Sequence, residues 1–204
     1  MHPNPAFRAG TEAQALALVR ARGFGTLAVN GPGGPLLSHV PLLLASDGAT
    51  LDLHLVRSNP ILRALPAEAV VAVAGPDGYV SPDWYGVADQ VPTWNYVAVH
   101  LRGPLERLDD GAMRAMLDRQ SEATEERLRP KRPWRTAKMT PEVLARMMRG
   151  IVPCRMRVAE VDATWKLSQN KPDAVRLRAA DGVAAAGIGA ETGRLAALMR
   201  DPPA

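Results

Sequence analysis

Apolar and polar positions along the first hundred residues switch from helical spacing to strict alternation. Thr11-Glu12-Ala13-Gln14 fits a capping box, and Ala15, Leu16 and Val19 lie on one face of the helix it opens. Gly23 is placed to end that helix. Residues 24–29 read as a strand, Asn30-Gly31-Pro32-Gly33-Gly34 as a reversing turn, and residues 36–44 as a second strand. After Ser46-Asp47-Gly48, Leu51, Leu53 and Leu55 alternate with Asp52, His54 and Val56, the signature of a half-buried strand. Asn59 then serves as a helix cap before Pro60 and a short helix over 61–65. A fourth strand is expected over 69–74, a turn at Gly75-Pro76-Asp77-Gly78, and a broken edge segment over 79–85 with Pro82 inside it.

The pattern continues over 93–108 with one long strand or a bent pair, Gly103-Pro104 marking the bend. Asp110 is a candidate cap for a helix carrying Met113, Met116 and Leu117 at helical spacing, a core stripe. Thr140-Pro141 opens another helix with Val143, Leu144, Met147 and Met148, and residues 151–161 return to strand. The Ala-, Arg- and Gly-rich stretch 173–204 is expected as a helical tail, with a helix at 192–199 and a frayed end. Strands joined by turns at spacings of about 8–15 residues predict an α+β protein, mainly β, built on a closed or split antiparallel barrel rather than a doubly wound sheet. No Gly-x-Gly-x-x-Gly follows a strand and no Walker-type loop is present.

Composition narrows the classes. With 204 residues, 47% hydrophobic and 23% charged, the chain has the proportions of a soluble globular protein. Cys154 is the only cysteine, which excludes an intramolecular disulfide and a cysteine-based zinc finger. The longest apolar runs, about seven to ten residues, fall short of a membrane span, and the start has no apolar signal core, so a cytoplasmic protein is expected. The net charge of +4 is uneven: residues 1–100 carry −2, residues 101–157 carry +6 and residues 158–204 carry zero. The basic middle segment is either a surface for DNA or another anionic partner, or a solvated helical face whose Glu122, Glu125 and Glu126 offset the arginines.

Candidate chemistry is sparse. His2, His39, His54 and His100 stand in no metal-ligand spacing, and Ser81 and Ser168 in no nucleophile motif. Arg57-Ser58-Asn59-Pro60 places a guanidinium, a hydroxyl and helix N-terminal amides at a strand end, which suits a phosphate or else is a plain helix cap. In Val91–His100, alternation puts Trp94, Tyr96 and Ala98 on one face and Thr93, Asn95 and Val97 on the other. Five of the nine aromatic residues, Tyr79, Trp84, Tyr85, Trp94 and Tyr96, crowd into this region, either as core packing or as a bed for a flat heteroaromatic ligand. Trp165-Lys166-Leu167-Ser168-Gln169-Asn170 concentrates a lysine, a hydroxyl and two amides, matched to the carbonyls and ring nitrogens of an isoalloxazine, or to a turn before Pro172.

Taken together, these strings resemble the PaiB-type family of FMN-binding negative transcriptional regulators. The matching residues are Met1–Phe7, His39–Leu44, His54 with Arg57–Pro60, Gly75-Pro76, Tyr79–Tyr85, Val91–His100, Pro133-Trp134 and Lys166–Asn170. The resemblance implies an FMN-binding split barrel over 1–172, with a helical insertion at about 109–150 and the helical tail appended at 173–204. It implies a homodimer with flavin held at the subunit interface. Arg57, Ser58 and Asn59 become candidates for the phosphate, and His39, Val40, Pro41 and Leu42 for the flank of the ring. Trp94, Asn95 and Tyr96, with Lys166, Ser168, Gln169 and Asn170, complete the expected pocket. The alternative that the fold relatives imply is a flavin-dependent oxidoreductase using NAD(P)H or another reduced donor. Two departures stand out: Leu53 where a small residue usually precedes the histidine, and Asp162-Ala163-Thr164-Trp165 leading into the lysine string.

Overall fold

The computed structural model describes residues 2–203. Met1, the first residue of the amino-terminal string, and Ala204, the last of the expected tail, lie outside them. The elements are α1 (Glu12–Arg22), β1 (Phe24–Gly31), β2 (Gly34–Leu44), β3 (Thr50–Val56), β4 (Ala67–Val80), β5 (Thr93–Arg107), α2 (Met113–Glu125), α3 (Pro141–Met148), β6 (Ile151–Arg157), β7 (Glu160–Lys166), α4 (Asp173–Ala186) and α5 (Thr192–Arg200). The strands pair in the order β4-β1-β2-β3-β6-β5-β7, and β4 pairs with β5 as well. The β1–β2, β1–β4, β2–β3, β3–β6 and β5–β6 ladders are antiparallel. That cyclic order is the connectivity of an antiparallel split barrel, and with its helices the fold is α+β.

Local chemistry explains most element ends. The Gln14 amide donates to the Thr11 hydroxyl at 3.2 Å, and the Thr11 amide donates to the Gln14 side-chain carbonyl at 2.7 Å, so the capping box forms as read. The β1–β2 hairpin closes Gly31 opposite Gly34, across Pro32-Gly33. Asn59 caps the following turn by accepting from the Ile61 amide at 3.0 Å, and the turn itself is a 3-10 helix, Pro60–Arg63.

The chain forms two compact units. The second comprises Val19–Val73 and Leu101–Val161. Alternation builds its core: Val40, Leu42 and Leu44 of β2 are buried while Leu37, His39 and Pro41 on its other face are exposed. Leu51, Leu53 and Leu55 of β3 are buried, as are Val152, Cys154 and Met156 of β6. Met113 and Met116 of α2 are buried too, as their helical stripe predicts. Each such large side chain contributes about 1.5–3 kcal/mol over leaving it in water. The first unit comprises Met1–Leu18, Ala74–His100 and Asp162–Ala204. Its core joins Phe7, Tyr85, Val97, Val99 and Leu167 with Val183, Leu195 and Met199 of the helical pair α4–α5.

Several expectations are corrected. The turn expected at Gly75–Gly78 does not form, and β4 runs through it. A Cβ on Gly75 would stand 2.8 Å from the Val97 Cβ, so the glycine admits the neighbouring strand β5 rather than reversing the chain. The strand expected over 151–161 is two strands, β6 and β7. Between them Val158 donates to the Ala49 carbonyl and Ala159 to the Arg102 carbonyl. Trp165 and Lys166 consequently lie within β7 rather than after it. Asp110 makes no side-chain cap; its carboxylate takes Arg57 and Arg107, each at 3.1 Å, and a 3-10 turn, Asp110–Ala112, leads into α2. Asp52, expected on the wet side of β3, is buried because Arg155 binds it bidentately at 2.7 and 3.0 Å and Arg119 of α2 adds 2.8 Å.

Candidate functional site

In the first unit, β5, the 3-10 turn Pro82–Tyr85 and the loop after β7 meet at a cavity of about 320 Å³. Tyr85, Asn95, Lys166, Ser168, Asn170 and Lys171 line it. Asn95 points inward with Val97 and Val99 because the period of β5 puts odd residues on the buried face. Its amide nitrogen donates to the Ser168 hydroxyl at 2.9 Å, and the Tyr85 hydroxyl lies 2.9 Å from that same oxygen. The Asn95 side-chain oxygen is buried and has no hydrogen-bond partner among the described residues. Ser168 adopts φ 62°, and the turn it starts is closed by the Lys171 amide donating to its carbonyl at 3.0 Å. Gln169 braces this loop: its side-chain oxygen accepts from the Leu167 amide at 2.8 Å and its nitrogen donates to the Trp165 carbonyl.

Both amines of the cavity have neutral partners. Lys166 Nζ donates to the Thr93 hydroxyl at 2.5 Å, and burial pulls its pKa below the ordinary lysine value. Lys171 Nζ lies 4.4 Å over the Tyr85 ring and donates to the Gln90 side-chain carbonyl. Burial raises the Tyr85 hydroxyl, against the smaller opposing effect of its bond to Ser168. A half-desolvated cation beside hydroxyl and amide groups suits a ligand edge that carries carbonyls or partial negative charge.

Trp94 and Tyr96 face the other way from Asn95, as alternation requires. Trp94 is exposed and meets Tyr79 edge-on at 6.3 Å; Trp84 meets the same ring at 6.1 Å. Of the sequence-selected residues in this unit, Asn95, Lys166, Ser168 and Asn170 share the cavity, Gln169 supports its loop, and the two aromatics lie on the opposite face of β5. Tyr85 and Lys171 are lining residues that the spacing argument passed over. The aromatic cluster already contained Tyr85, and Lys171 directly follows the polar string.

In the second unit, His39 and Pro41 lie on the outward face of β2 and Val40 and Leu42 on its buried face. His39 Nδ1 is 3.0 Å from the Thr26 hydroxyl, and its ring stacks toward Phe24 at 6.4 Å. Arg57 Nε donates to the Arg149 carbonyl at 2.8 Å, and its terminal nitrogen reaches Asp110 and the Ile151 carbonyl. Asn59 also donates to the Ser38 hydroxyl at 3.1 Å, and Ser58 is exposed. The basic segment 101–157 has internal partners for many cations: Arg114 with Asp118, Arg119 and Arg155 with Asp52, Arg129 with Glu126, Lys131 with Glu125, and Arg135 with Glu122. Among the described residues no cluster of His, Cys, Asp or Glu is placed to hold a metal, and no helix is long and apolar enough to cross a membrane.

The fold is that of the antiparallel split barrels, and the chain belongs to the family described as "Putative FMN-binding domain", which matches residues 1–160. Among particular proteins, it is 32% identical over 157 residues to the protease synthase and sporulation protein PAI 2 of Bacillus subtilis, covering 75% of this chain and 74% of that one. The fold is also that of the FAD and heme binding protein from Mycobacterium smegmatis, at TM-score 0.57 and 21% identity over 88% of this chain and 80% of that one. The flavocytochrome Anf3 from Azotobacter vinelandii shares it at TM-score 0.55 and 17% identity, over 76% and 67%. FMN is the cofactor of the family, and the residues present fit it. The cavity residues include an acceptor without a partner, the Asn95 oxygen, and a donor, the Lys166 amine, the two hydrogen-bonding senses that a flavin ring edge uses.

Proposed function

We propose that the protein is a dimeric FMN-binding regulator of the PaiB type, with flavin held at the subunit interface. Lys166, Asn95, Ser168 and Asn170 address the polar edge of the isoalloxazine, and Gln169 fixes the loop that presents them. Arg57, Ser58 and Asn59 hold the phosphate. His39 and Pro41 flank the ring by side chains, Val40 and Leu42 by backbone, and Trp94 and Tyr96 supply outward aromatic surface. Bound FMN would supply redox or sensing chemistry, while the chain binds and orients it. The observation that carries this reading is the half-buried Lys166 amine in the same cavity as an unpartnered Asn95 oxygen.

Regulation follows from the likeness to the PaiB type. Since many cations of segment 101–157 are engaged by carboxylates, the expected gel shift with promoter fragments is weak and falls steeply with salt, and regulation runs through a partner protein.

Quenching of FMN fluorescence tests the site. Lys166→Met and Arg57→Ala should each weaken FMN binding, the latter by roughly 1.5–3 kcal/mol for a lost charge-assisted bond. Unchanged affinity in both variants would remove these residues from the site. Anaerobic mixing of the flavin-loaded protein with NADPH separates the oxidoreductase reading: retention of the flavin band is the outcome expected here, and bleaching would favour catalysis.

A further inference from the structure

The helical pair α4–α5 lies beyond the residues that the family match covers, yet one of its side chains reaches the wall of the cavity in the first unit. Arg178 of α4 donates from its terminal nitrogen to the Tyr85 carbonyl at 2.7 Å. Its guanidinium also sits against Gly86, where a Cβ would stand 3.1 Å from the Arg178 Cζ. Gly86 has φ 63°, so the chain turns sharply under the guanidinium. A second contact comes from Gly182, in the middle of α4. A Cβ there would stand 2.4 Å from the Trp84 ring. Glycine inside a helix costs about 1 kcal/mol against alanine, and here it gives the neighbouring indole its seat. The connection between the two helices is fixed to β4 as well: Tyr79 donates to the Ile188 carbonyl and Asp77 to the Ala190 carbonyl, both at 3.0 Å.

These contacts converge on one short turn. Tyr85 is almost fully buried, and its hydroxyl meets Ser168, which in turn receives the Asn95 amide. A relay therefore runs from Arg178 through the Tyr85 main chain to the Tyr85 hydroxyl, and from there to the two polar groups that line the cavity. We propose that Arg178 is a positioning residue: it sets Tyr85, and through Tyr85 the Ser168–Asn95 pair, and so tunes how the cavity grips its ligand. That the ligand is FMN rests on the function proposed above; the fixing of the turn does not.

The test uses the full chain in four forms: wild type, Arg178→Ala, Arg178→Lys and Arg200→Ala. Arg200 pairs with Asp181 at 2.7 Å on the same helical pair and hydrogen-bonds to neither Tyr85 nor Trp84, so its loss reports general loosening of the helices. Two readouts are taken: hydrogen exchange of the Trp84 and Gly86 amides, which donate to the Ser81 and Asp83 carbonyls, and FMN affinity by fluorescence quenching. Arg178→Ala should speed exchange at these amides and weaken FMN by roughly tenfold or more, the effect of one lost charged hydrogen bond. Arg178→Lys, which keeps one donor, should fall between it and wild type. Arg200→Ala should match wild type in both readouts. Unchanged exchange in Arg178→Ala, unchanged affinity despite faster exchange, or equal shifts in Arg200→Ala would each overturn the proposal. Failure of wild type to bind FMN would refute the flavin reading instead, and the exchange data would still decide whether Arg178 fixes the turn.

Discussion

Asp52 shows how one residue can reverse the sense of a hydrophobicity pattern. Burial by itself would raise its carboxyl, but the hydrogen bonds and charges of Arg155 and Arg119 outweigh that effect and hold it below the usual aspartate value. A carboxylate with a depressed folded pKa stabilises the protein above its unfolded value of about 3.9, and that contribution is lost as pH falls through the folded value. Asp52→Asn should therefore cost about 2–4 kcal/mol in urea unfolding at pH 7, less than a fully dry pair because both arginines are partly in water. The difference from wild type should begin to shrink below about pH 4, where the unfolded chain's carboxylate takes up its proton, and should be gone once pH has fallen through the lower folded value. Cys154 makes the opposite case. Burial pushes its thiol up to about 11, and the side chain is inaccessible. An aromatic disulfide reagent at pH 8 should label it only at the rate of unfolding; rapid labelling of the native protein would contradict its place in the core.

Among the elements, α2 is attached to the sheet by polar contacts as well as by methionines. Gln120 donates to the Asp52 carbonyl at 3.2 Å, which leaves its oxygen 3.2 Å from His54 Nδ1. That arrangement makes His54 Nδ1 the donor. Burial lowers the His54 pKa, against the smaller opposing effect of Gln120. The neutral ring is thus the folded form, and stability should be full above about pH 6.5 and decline as pH falls from there toward the folded value. His54→Gln should remove that decline between pH 7 and 5 in denaturant titrations, and a wild-type curve flat over this range would refute it. The window is separate from that of Asp52, which opens lower.

Elements were legible where local signals act alone. The capping box at Thr11 and the Asn59 cap both formed because their partners are two or three residues away. The turn expected at Gly75–Gly78 gives way to β4 because Gly75 answers to Val97 on another strand, and sequence spacing carries no trace of that approach. The division of β6 from β7 was hidden for a similar reason: Val158 and Ala159 leave the ladder for the carbonyls of Ala49 and Arg102.

For the molecule as a whole, the resemblance carried the fold and the cofactor; the strand order and the likeness to solved structures bear out the first, and the family match over residues 1–160 the second. The site was legible in part. Alternation correctly put Asn95 opposite Trp94 and Tyr96, and the lysine string does gather at a cavity. Sequence alone did not reveal that Tyr85 and Lys171 join it, because a 3-10 turn and a residue at positive φ, Ser168, decide their placement. Nor did it reveal the engagement of α4 with that turn, since Arg178 and Gly182 sit in an Ala-rich helix without a motif.

The central claim is that this chain binds FMN stoichiometrically as a dimer. Protein equilibrated with excess FMN, passed through a sizing column and monitored at the protein and flavin absorbance bands, tests it most directly. The account predicts co-elution at twice the chain mass with one flavin per chain; a colourless monomer peak, with FMN trailing free behind it, would contradict it.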